Sequence, residues 1–530
     1  MYRSVRRFAF TLTFVWFIAP PTHGADFQPL ETLGNPSPSS GSDIVSPRII
    51  VTTSFGTSYQ VNVNSAGQNI VGDAANEPSL CIDPVHPNRI AIGWRQFNNV
   101  NNNFRQAGYS FSTNAGVTWT FGGVLETNVF RSDPVLASDP DGRFYYLSLL
   151  QSPLRCDLWR SINGGANWQR QGPAVGGDKP WMTTDNSASP GRGSVYQVWS
   201  DAQNVYSNRN FSLSRDGGLT WSNPIVIPQM PFWSTLDVGP QGELYMLGWN
   251  GSAFWFTRSL NATNRNAALV FDLSTNVDLG GSIVPGASVN PEGLLGQPWI
   301  VVDRSAGATR GNLYALCTVS SGNNPADVKF VRSTNGGSTW SSPRRLNTDL
   351  FPQNGYHWFG TLSVAPNGRL DACWYDTRSN PNHDFSELYY VSSNDTGLTW
   401  TTNRAVSPPF NHTLGYPAQE KIGDYIGMIS LENSACIAYT ATFNGEEDVY
   451  FIQLYQPILA AANRSPGRVR ISWNAVIGKT YCLQYQDALS ASWANAPNLT
   501  CITATNSLMQ VELNPASPPN RFFRIALQSP

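Results

Sequence analysis

One short phrase occurs five times in this chain and constrains its fold more than any other feature. It reads SRDGGLTW at Ser214–Trp221, and each copy follows a short apolar or aromatic run and precedes another extended run. The phrase therefore predicts the turn of a β-hairpin. Ser and Asp or Asn side chains can bond backbone amides in such a turn, Gly accepts positive φ, and the Trp can cover the hairpin as an apolar plug. The other four copies are Ser112–Trp119, Ser161–Trp168, Ser333–Trp340 and Ser393–Trp400.

A second pattern precedes most copies and consists of an apolar strand, a turn of the type x-P-x-G and another apolar strand. It is clearest in LASDPDGRFYYLSLL, LDVGPQGELYMLGW and LSVAPNGRLDACWYD. Because Pro fixes φ and Gly permits the reversal, each unit reads strand, turn, strand, loop, strand, phrase, strand. The first strands of seven such units start near Glu77, Asp133, Asp178, Trp233, Gln297, His357 and Asp424.

The repeated phrase resembles the Asp-box, or BNR repeat, of sialidases and other β-propellers, and the resemblance covers about residues 70–455. It implies an all-β, sialidase-like β-propeller, with seven blades by the count above and six as the alternative that sialidases show. The seventh unit ends after three strands without a box. Since a ring must close, a strand near Pro47–Ser54 is expected to supply the missing outer strand.

The two ends of the chain differ from the repeats. Residues 1–24 read as a secretory signal peptide, with Arg3, Arg6 and Arg7 before the apolar run Phe8–Ala19, which is too short to span a bilayer. We expect export to the periplasm, cell surface or medium. Residues 25–454 then form the propeller, and residues 455–530 resemble the fibronectin-like or immunoglobulin-like modules of exported bacterial enzymes, which predicts a small β-sandwich. Two of its residues, Cys482 and Cys501, form either a disulfide or two buried apolar contacts.

Composition excludes some classes of function. Only 13% of residues are charged, the net charge is −2 and aromatics reach 12%. A nucleic-acid partner would require a basic face, and disorder would require fewer aromatics. No spacing indicates a metal site or a cofactor, and no later segment is apolar enough to span a membrane. A calcium ion bound by surface carboxylates and the oligomeric state both stay open.

The innermost strands of a propeller converge on its central channel, so residues near the starts of these strands are the candidate site. Carboxylates can act as acid and base, arginines can grip an anionic group, and Trp faces can stack on sugar rings. The expected partner is thus a glycan. The same residues have structural alternatives, such as capping turns or forming local ion pairs. The candidate catalytic residues are Glu77, Asp133, Asp178, Asp424 and Tyr425. The candidate substrate-binding residues are Arg95, Arg105, Arg131, Lys179, Trp181, His357 and Arg378.

The resemblance to sialidases implies three arginines on the substrate carboxylate, which Arg95, Arg131 and Arg378 could supply. It also implies a Tyr nucleophile, for which Tyr425 is the candidate, with Glu77 as its partner and Asp133 or Asp178 as the acid. The family's (F/Y)-R-I-P motif is absent, since the nearest segment is PRII.

Three functions stay open. The chain could be an exported sialidase-like glycoside hydrolase, or a non-catalytic propeller that binds glycan or protein. It could also be a hydrolase or lyase of another polysaccharide, with Asp133 and Asp178 as acid and base.

Overall fold

The structure of the protein is a computed structural model. It describes residues 36–530 apart from 201–203, 323, 350–354, 456–457, 466–467, 476–478, 488–493, 497–500, 507, 514–521 and 528–530. All helical or extended structure in the described residues is β-strand, which confirms the all-β prediction. In this part of the chain we find no helix with the length and apolarity that crossing a membrane requires. The predicted signal peptide lies outside the described residues.

Between residues 50 and 455 of the described chain, seven larger antiparallel sheets follow one another. Sheet 1 consists of Ala74–Ile82, Ile90–Phe97, Arg105–Ser112 and Thr120–Val124. Sheet 2 consists of Ser132–Ser138, Phe144–Leu150, Arg155–Ser161 and Gln169–Ala174. Sheet 3 consists of Asp178–Thr184, Val195–Ser200 and Phe211–Ser214. Sheet 4 consists of Phe232–Val238, Leu244–Trp249, Phe254–Ser259 and Leu273–Val277. Sheet 5 consists of Trp299–Val302, Leu313–Ser321, Asn324–Ser333 and Arg344–Arg345. Sheet 6 consists of His357–Val364, Leu370–Asp376, Glu387–Ser393 and Arg404–Ala405. Sheet 7 is Gly427–Leu431, Ser434–Ala441 and Asp448–Tyr455, followed by Gly56–Gln60 and Ile50–Thr53.

The first strands of these sheets form a closed ring. Each contacts the first strand of the next sheet, and the first strand of sheet 7 contacts that of sheet 1. Apolar side chains fill the spaces between successive sheets, as in the cluster that sheets 4 and 5 share. This is the arrangement of a β-propeller, as predicted. The number of blades stays a prediction, which the ring of seven sheets supports.

Both ends of the propeller segment contribute to sheet 7. Tyr59 pairs with Phe451, so Gly56–Gln60 is the fourth strand. Ile50–Thr53 pairs with Gly56–Gln60 from outside and adds a fifth strand. We predicted that the early segment closes the ring, with a strand near Pro47–Ser54 as the fourth strand of sheet 7. The observed fourth strand is instead Gly56–Gln60, and Ile50–Thr53 is the fifth. The hairpin turn at Ser54–Phe55 reverses the chain, so it is Gly56–Gln60 that pairs with Asp448–Tyr455.

The five repeated phrases form the same hydrogen-bonded turn. In every copy the Ser hydroxyl accepts the amide of the Gly four residues later, at 2.8–3.0 Å. In every copy the Asp or Asn side chain accepts the amide four residues after it, at 2.8–3.0 Å. That Gly has φ between +80° and +92° in all five. The turn chemistry expected from the sequence is therefore present.

Each turn also packs against the preceding sheet. A Cβ atom on Gly337 of sheet 5 would lie 2.0 Å from the Phe256 ring of sheet 4. The Trp340 ring of the same turn lies 5.3 Å from Phe256, with the rings edge to face. Gly397 meets Phe330 in the same way at the next junction. The repeated phrase thus joins neighbouring sheets, which is a structural role.

The remaining strands form small sheets. Two sheets of the C-terminal segment share one apolar core that includes Trp473 and Leu483, and Cys482 is bonded to Cys501. These two sheets are Ile458–Ser465, Arg468–Asn474 and Leu508–Leu513, and Thr480–Gln486, Ala494–Asn495, Ile502–Thr503 and Phe522–Leu527. Two further pairs are Val45–Ser46 with Asn69–Ile70, and Pro285–Ala287 with Asn290–Leu294.

Candidate functional site

A backbone irregularity aims polar side chains at the centre of the ring. Within the described residues, the first strand of five sheets contains a non-glycine residue with φ between +49° and +56° near its start, and each lies at a β-bulge. Such a bulge redirects a side chain, and positive φ in a residue other than Gly or Asn is uncommon. Because the irregularity also occurs at two aromatic residues, it belongs to the architecture of the ring. The five residues are Glu77, Asp133, Lys179, Trp233 and Phe359.

Charged residues from opposite parts of the chain meet there. Lys421 Nζ lies 2.6 Å from Asp424 Oδ2 and 3.2 Å from Glu77 Oε1. Lys179 Nζ donates to the same oxygen of Asp424, and Arg95 Nη2 lies 3.3 Å from Glu77 Oε1. We call these residues, together with Asp133, the hub. Every member is 7% exposed or less.

The hub drives the pKa values of two carboxyls apart. Burial raises the pKa of Glu77 to about 7, although Arg95 and Lys421 oppose the shift. Burial alone would also raise the pKa of Asp424, but the charges of Lys179 and Lys421 hold it well below its ordinary range. At neutral pH, Asp424 is therefore ionised while Glu77 can both hold and release a proton.

Asp133 links the hub to its surroundings. Its Oδ2 accepts the amide of Lys179 at 2.9 Å, and its Oδ1 accepts the Ser132 hydroxyl at 2.7 Å. That hydroxyl accepts Arg105 Nε at 3.2 Å, so Arg105 is one step removed from the hub. The charge of Asp178 acts on Lys179, which places this carboxylate beside the hub as well.

Aromatic rings border the charged groups. The ring of Trp181 lies 5.1 Å from that of Tyr425 and 5.3 Å from that of Trp299, edge to face in both cases. The Tyr425 hydroxyl donates to the carbonyl of Pro134 at 2.8 Å, and burial raises its pKa well above 10. This phenol is therefore neutral and engaged, which does not favour the predicted role as nucleophile.

Two of the predicted arginines each pair with a carboxylate of the neighbouring sheet strands. Arg131 donates to Asp157 at 2.7 Å and also to Glu126. Arg378 Nε donates to Asp376 at 2.9 Å. Together with the contact of Arg95 to Glu77, each guanidinium faces a different carboxylate. The structure therefore does not bring the three arginines together around one anion.

His357 belongs to a separate cluster between sheets 5 and 6. Its Nδ1 donates to the carbonyl of Ala326 at 2.7 Å, and its Nε2 lies 3.1 Å from Asp349 Oδ1. Burial would lower the pKa of His357, but the hydrogen bond to Asp349 and the charge of Asp376 raise it. Within the described residues, His357 and Arg378 contact these aspartates rather than the hub. Both were predicted at the central site because the sequence places them at or near inner strands.

The hairpin Pro285–Leu294, which was not predicted from sequence, lies directly on the hub. The amide of Leu294 donates to Asp424 Oδ1 at 2.8 Å. The buried Asn290 side chain donates to the carbonyl of Gly423 at 2.9 Å and accepts the amide of Ile422 at 3.0 Å. This contact explains why the hub is so deeply buried. Within the described residues, no group of three or more His, Cys, Asp or Glu side chains is placed to hold a metal.

Comparisons with known proteins give weak matches. No protein-family model matches the chain. A xyloglucanase from a Paenibacillus species is 25% identical over 319 residues, which is 54% of this chain and 28% of that protein. The chain thus spans less than a third of the length of this relative.

Solved structures are similar at low identity. A protein of unknown function from Dyadobacter fermentans is 13% identical with a TM-score of 0.42, over 75% of this chain and 98% of that one. A sialidase from Streptococcus pneumoniae is 11% identical with a TM-score of 0.38, over 76% and 71%. A GH93 α-L-arabinofuranosidase from Fusarium graminearum is 12% identical with a TM-score of 0.33, over 62% and 95%. All three scores are below 0.5, so the propeller assignment depends on the ring of strand contacts.

Proposed function

We propose that this chain is a glycan-acting hydrolase whose acid–base chemistry takes place at the hub. One observation carries the proposal, namely that Glu77 and Asp424 contact the same lysine while their pKa values are displaced in opposite directions. Environments that separate the pKa values of neighbouring carboxyls are characteristic of acid–base sites. The sequence match to a xyloglucanase adds support.

The roles follow from the contacts. Glu77, with a pKa of about 7, is the proton donor to the leaving-group oxygen. Asp133 supplies the second carboxylate, and its charge contributes to the raised pKa of Glu77. Asp424 is a positioning residue because it holds Lys179 and Lys421 in place. The neighbouring Trp181 ring is only partly buried and offers an apolar face to a sugar ring.

A neutral polysaccharide fits this arrangement better than a sialoside. Recognition of a sialic acid carboxylate by three arginines would require Arg95, Arg131 and Arg378 to share one anion. Each of them instead has its own carboxylate partner. Sialidase activity is therefore less favoured than hydrolysis of a neutral polysaccharide.

A second candidate function is non-catalytic glycan binding. It is favoured by the complete burial of Glu77 beneath the Pro285–Leu294 hairpin, because a catalytic acid must reach its substrate. In that case the hub would be an ionic lock that stabilises the ring. The two functions differ in whether Glu77 exchanges a proton with a bound sugar.

Turnover of a glycan panel separates these functions. Purified protein is incubated with xyloglucan, arabinan and sialyllactose, and released sugars are measured across pH 5–9. We expect hydrolysis of a neutral polysaccharide that falls as pH rises through about 7, where Glu77 loses its proton. Glu77→Gln should lower kcat by about a hundredfold or more. The matched control Asp395→Asn, at a position where three other copies of the phrase have Asn, should leave kcat unchanged.

The other outcomes also decide. Turnover that is confined to sialyllactose and abolished in Arg378→Ala would instead support sialidase activity. Binding without turnover, unaffected by Glu77→Gln, would support the non-catalytic function. Unchanged turnover in Glu77→Gln would remove this residue from the mechanism.

A further inference from the structure

A cleft of about 510 Å³ opens between sheets 2 and 3, far from the hub. The strand Ser132–Ser138 has Asp133 of the hub near its start, whereas Asp141 of the cleft follows its end. Seven extended residues span roughly 20 Å, so the cleft lies at the opposite end of the strands. Its charged lining consists of Arg143, Arg160, Arg192, Arg215, Asp141 and Asp216.

Arg160 differs from its counterparts at other junctions between sheets. Arg258 and Arg332 occupy the same position, directly before the first residue of their segment's turn. Arg258 Nη1 donates to the carbonyl of Gly336 in the next turn at 2.8 Å, and Arg332 Nη1 donates to that of Thr396 at 3.3 Å. Among the described residues, Arg160 makes no such hydrogen bond and no ion pair. Its guanidinium is thus available to a ligand.

The remaining charges make the cleft positive. Arg143 and Arg192 both pair with Asp141, at 3.1 Å and 2.9 Å, and Arg143 also pairs with Asp139 at 3.0 Å. Arg215 occupies the second position of its repeated phrase, where the other copies have Thr, Ile, Thr and Asn. Four guanidinium groups therefore face three carboxylates, those of Asp139, Asp141 and Asp216, in a chain whose net charge is −2.

We propose that this cleft binds the carboxylate or sulfate group of an acidic saccharide. Guanidinium groups bind such oxyanions through paired hydrogen bonds, and Arg160 and Arg192 are placed to do so. Ile162, which is 75% exposed, lines the same cleft and supplies an apolar contact to a sugar face. That the ligand is a saccharide rests on the proposed function, whereas anion recognition depends on the arginines alone.

Calorimetric titration of the whole protein tests the proposal. The probes are a sulfated disaccharide, an oligogalacturonate, a neutral gluco-oligosaccharide, inorganic sulfate and a hexaglutamate peptide. We expect both acidic saccharides to bind, the neutral one not to bind, and affinity to fall as salt is raised. Arg160→Ala and Arg192→Ala should each weaken binding about tenfold or more.

Matched variants separate the cleft from other effects. Arg332→Ala removes the same charge at the same strand position in sheet 5 and should leave binding unchanged. Glu77→Gln should also bind normally, so loss of turnover at the hub and loss of binding at the cleft are distinguishable. Equal binding by wild type and Arg160→Ala, or no binding by any acidic probe, would overturn the proposal. Tighter binding of hexaglutamate than of both acidic saccharides would overturn the choice of a saccharide, and sulfate binding without saccharide binding would do the same.

Discussion

Replacing Glu77 by Gln should change how stability depends on pH. The folded-state pKa is raised from its ordinary value of 4.5 to about 7, and the side chain is fully buried. A raised pKa means that the contribution to stability is present in full below pH 4.5 and is lost as pH rises through 7. A shift of that size corresponds to about 3 kcal/mol. Gln cannot ionise, so the variant escapes this loss.

We therefore expect the free energy of unfolding of the variant, relative to wild type, to increase by about 3 kcal/mol between pH 4.5 and pH 8. For a ring of roughly 400 residues this is a relative rise in Tm of about 4 °C. Urea unfolding followed by Trp fluorescence at pH 4.5, 6 and 8 measures the free energy of unfolding of both proteins. Because the other buried carboxyls are present in both proteins, their contribution to the pH dependence of stability cancels when the variant is compared with wild type. Glu432→Gln, at an exposed site, is the control. The reasoning would be refuted if the difference in unfolding free energy between variant and wild type were the same at all three pH values. It would also be refuted if the variant became less stable relative to wild type as pH rose to 8.

Three further predictions concern the turns, the His cluster and the hairpin. Gly337→Ala should destabilise the protein by about 2–4 kcal/mol, because the added methyl group meets Phe256 and the residue has positive φ. Gly123→Ala has nearly the same φ and open space around it, so it should cost about 1 kcal/mol in chemical denaturation; equal losses would contradict the packing role. His357→Gln should lower Tm more at pH 5.5 than at pH 8.5, because a raised His pKa stabilises below 6.5 and that gain is lost as pH rises through the folded pKa; a pH-independent difference would count against the ion pair. Asn290→Ala should accelerate hydrogen exchange in the hairpin about tenfold, since it loses three buried hydrogen bonds; unchanged exchange would show that other contacts hold it.

The repeats allowed most of the fold to be predicted from sequence. The predicted strand starts lie within three residues of the observed first strands, because Pro and Gly set the turns and alternating apolar runs set the strands. Asp424, for example, precedes the strand that begins at Gly427. The outer strand of sheet 7 was misplaced because both Ile50–Thr53 and Gly56–Gln60 have extended patterns.

The site was harder to predict. His357 begins an inner strand and Arg378 follows the end of a second strand, but sequence position does not give side-chain direction or partner. Lys421 was missed because it lies in a loop without regular pattern, three residues before Asp424. The hairpin over the hub was also missed, although the interval between the fourth and fifth units is long for this chain. That extra length was the available signal.

The pairing of Tyr59 with Phe451 has a consequence for how the chain reaches its native state. These partners are separated by almost the whole length of the ring, so six sheets can fold locally before the last one is complete. Until then, sheets 1 and 7 each present an unsatisfied flank that favours association with other nascent chains. Protein synthesised without residues 50–60 should therefore accumulate as aggregates even though every other repeat is intact.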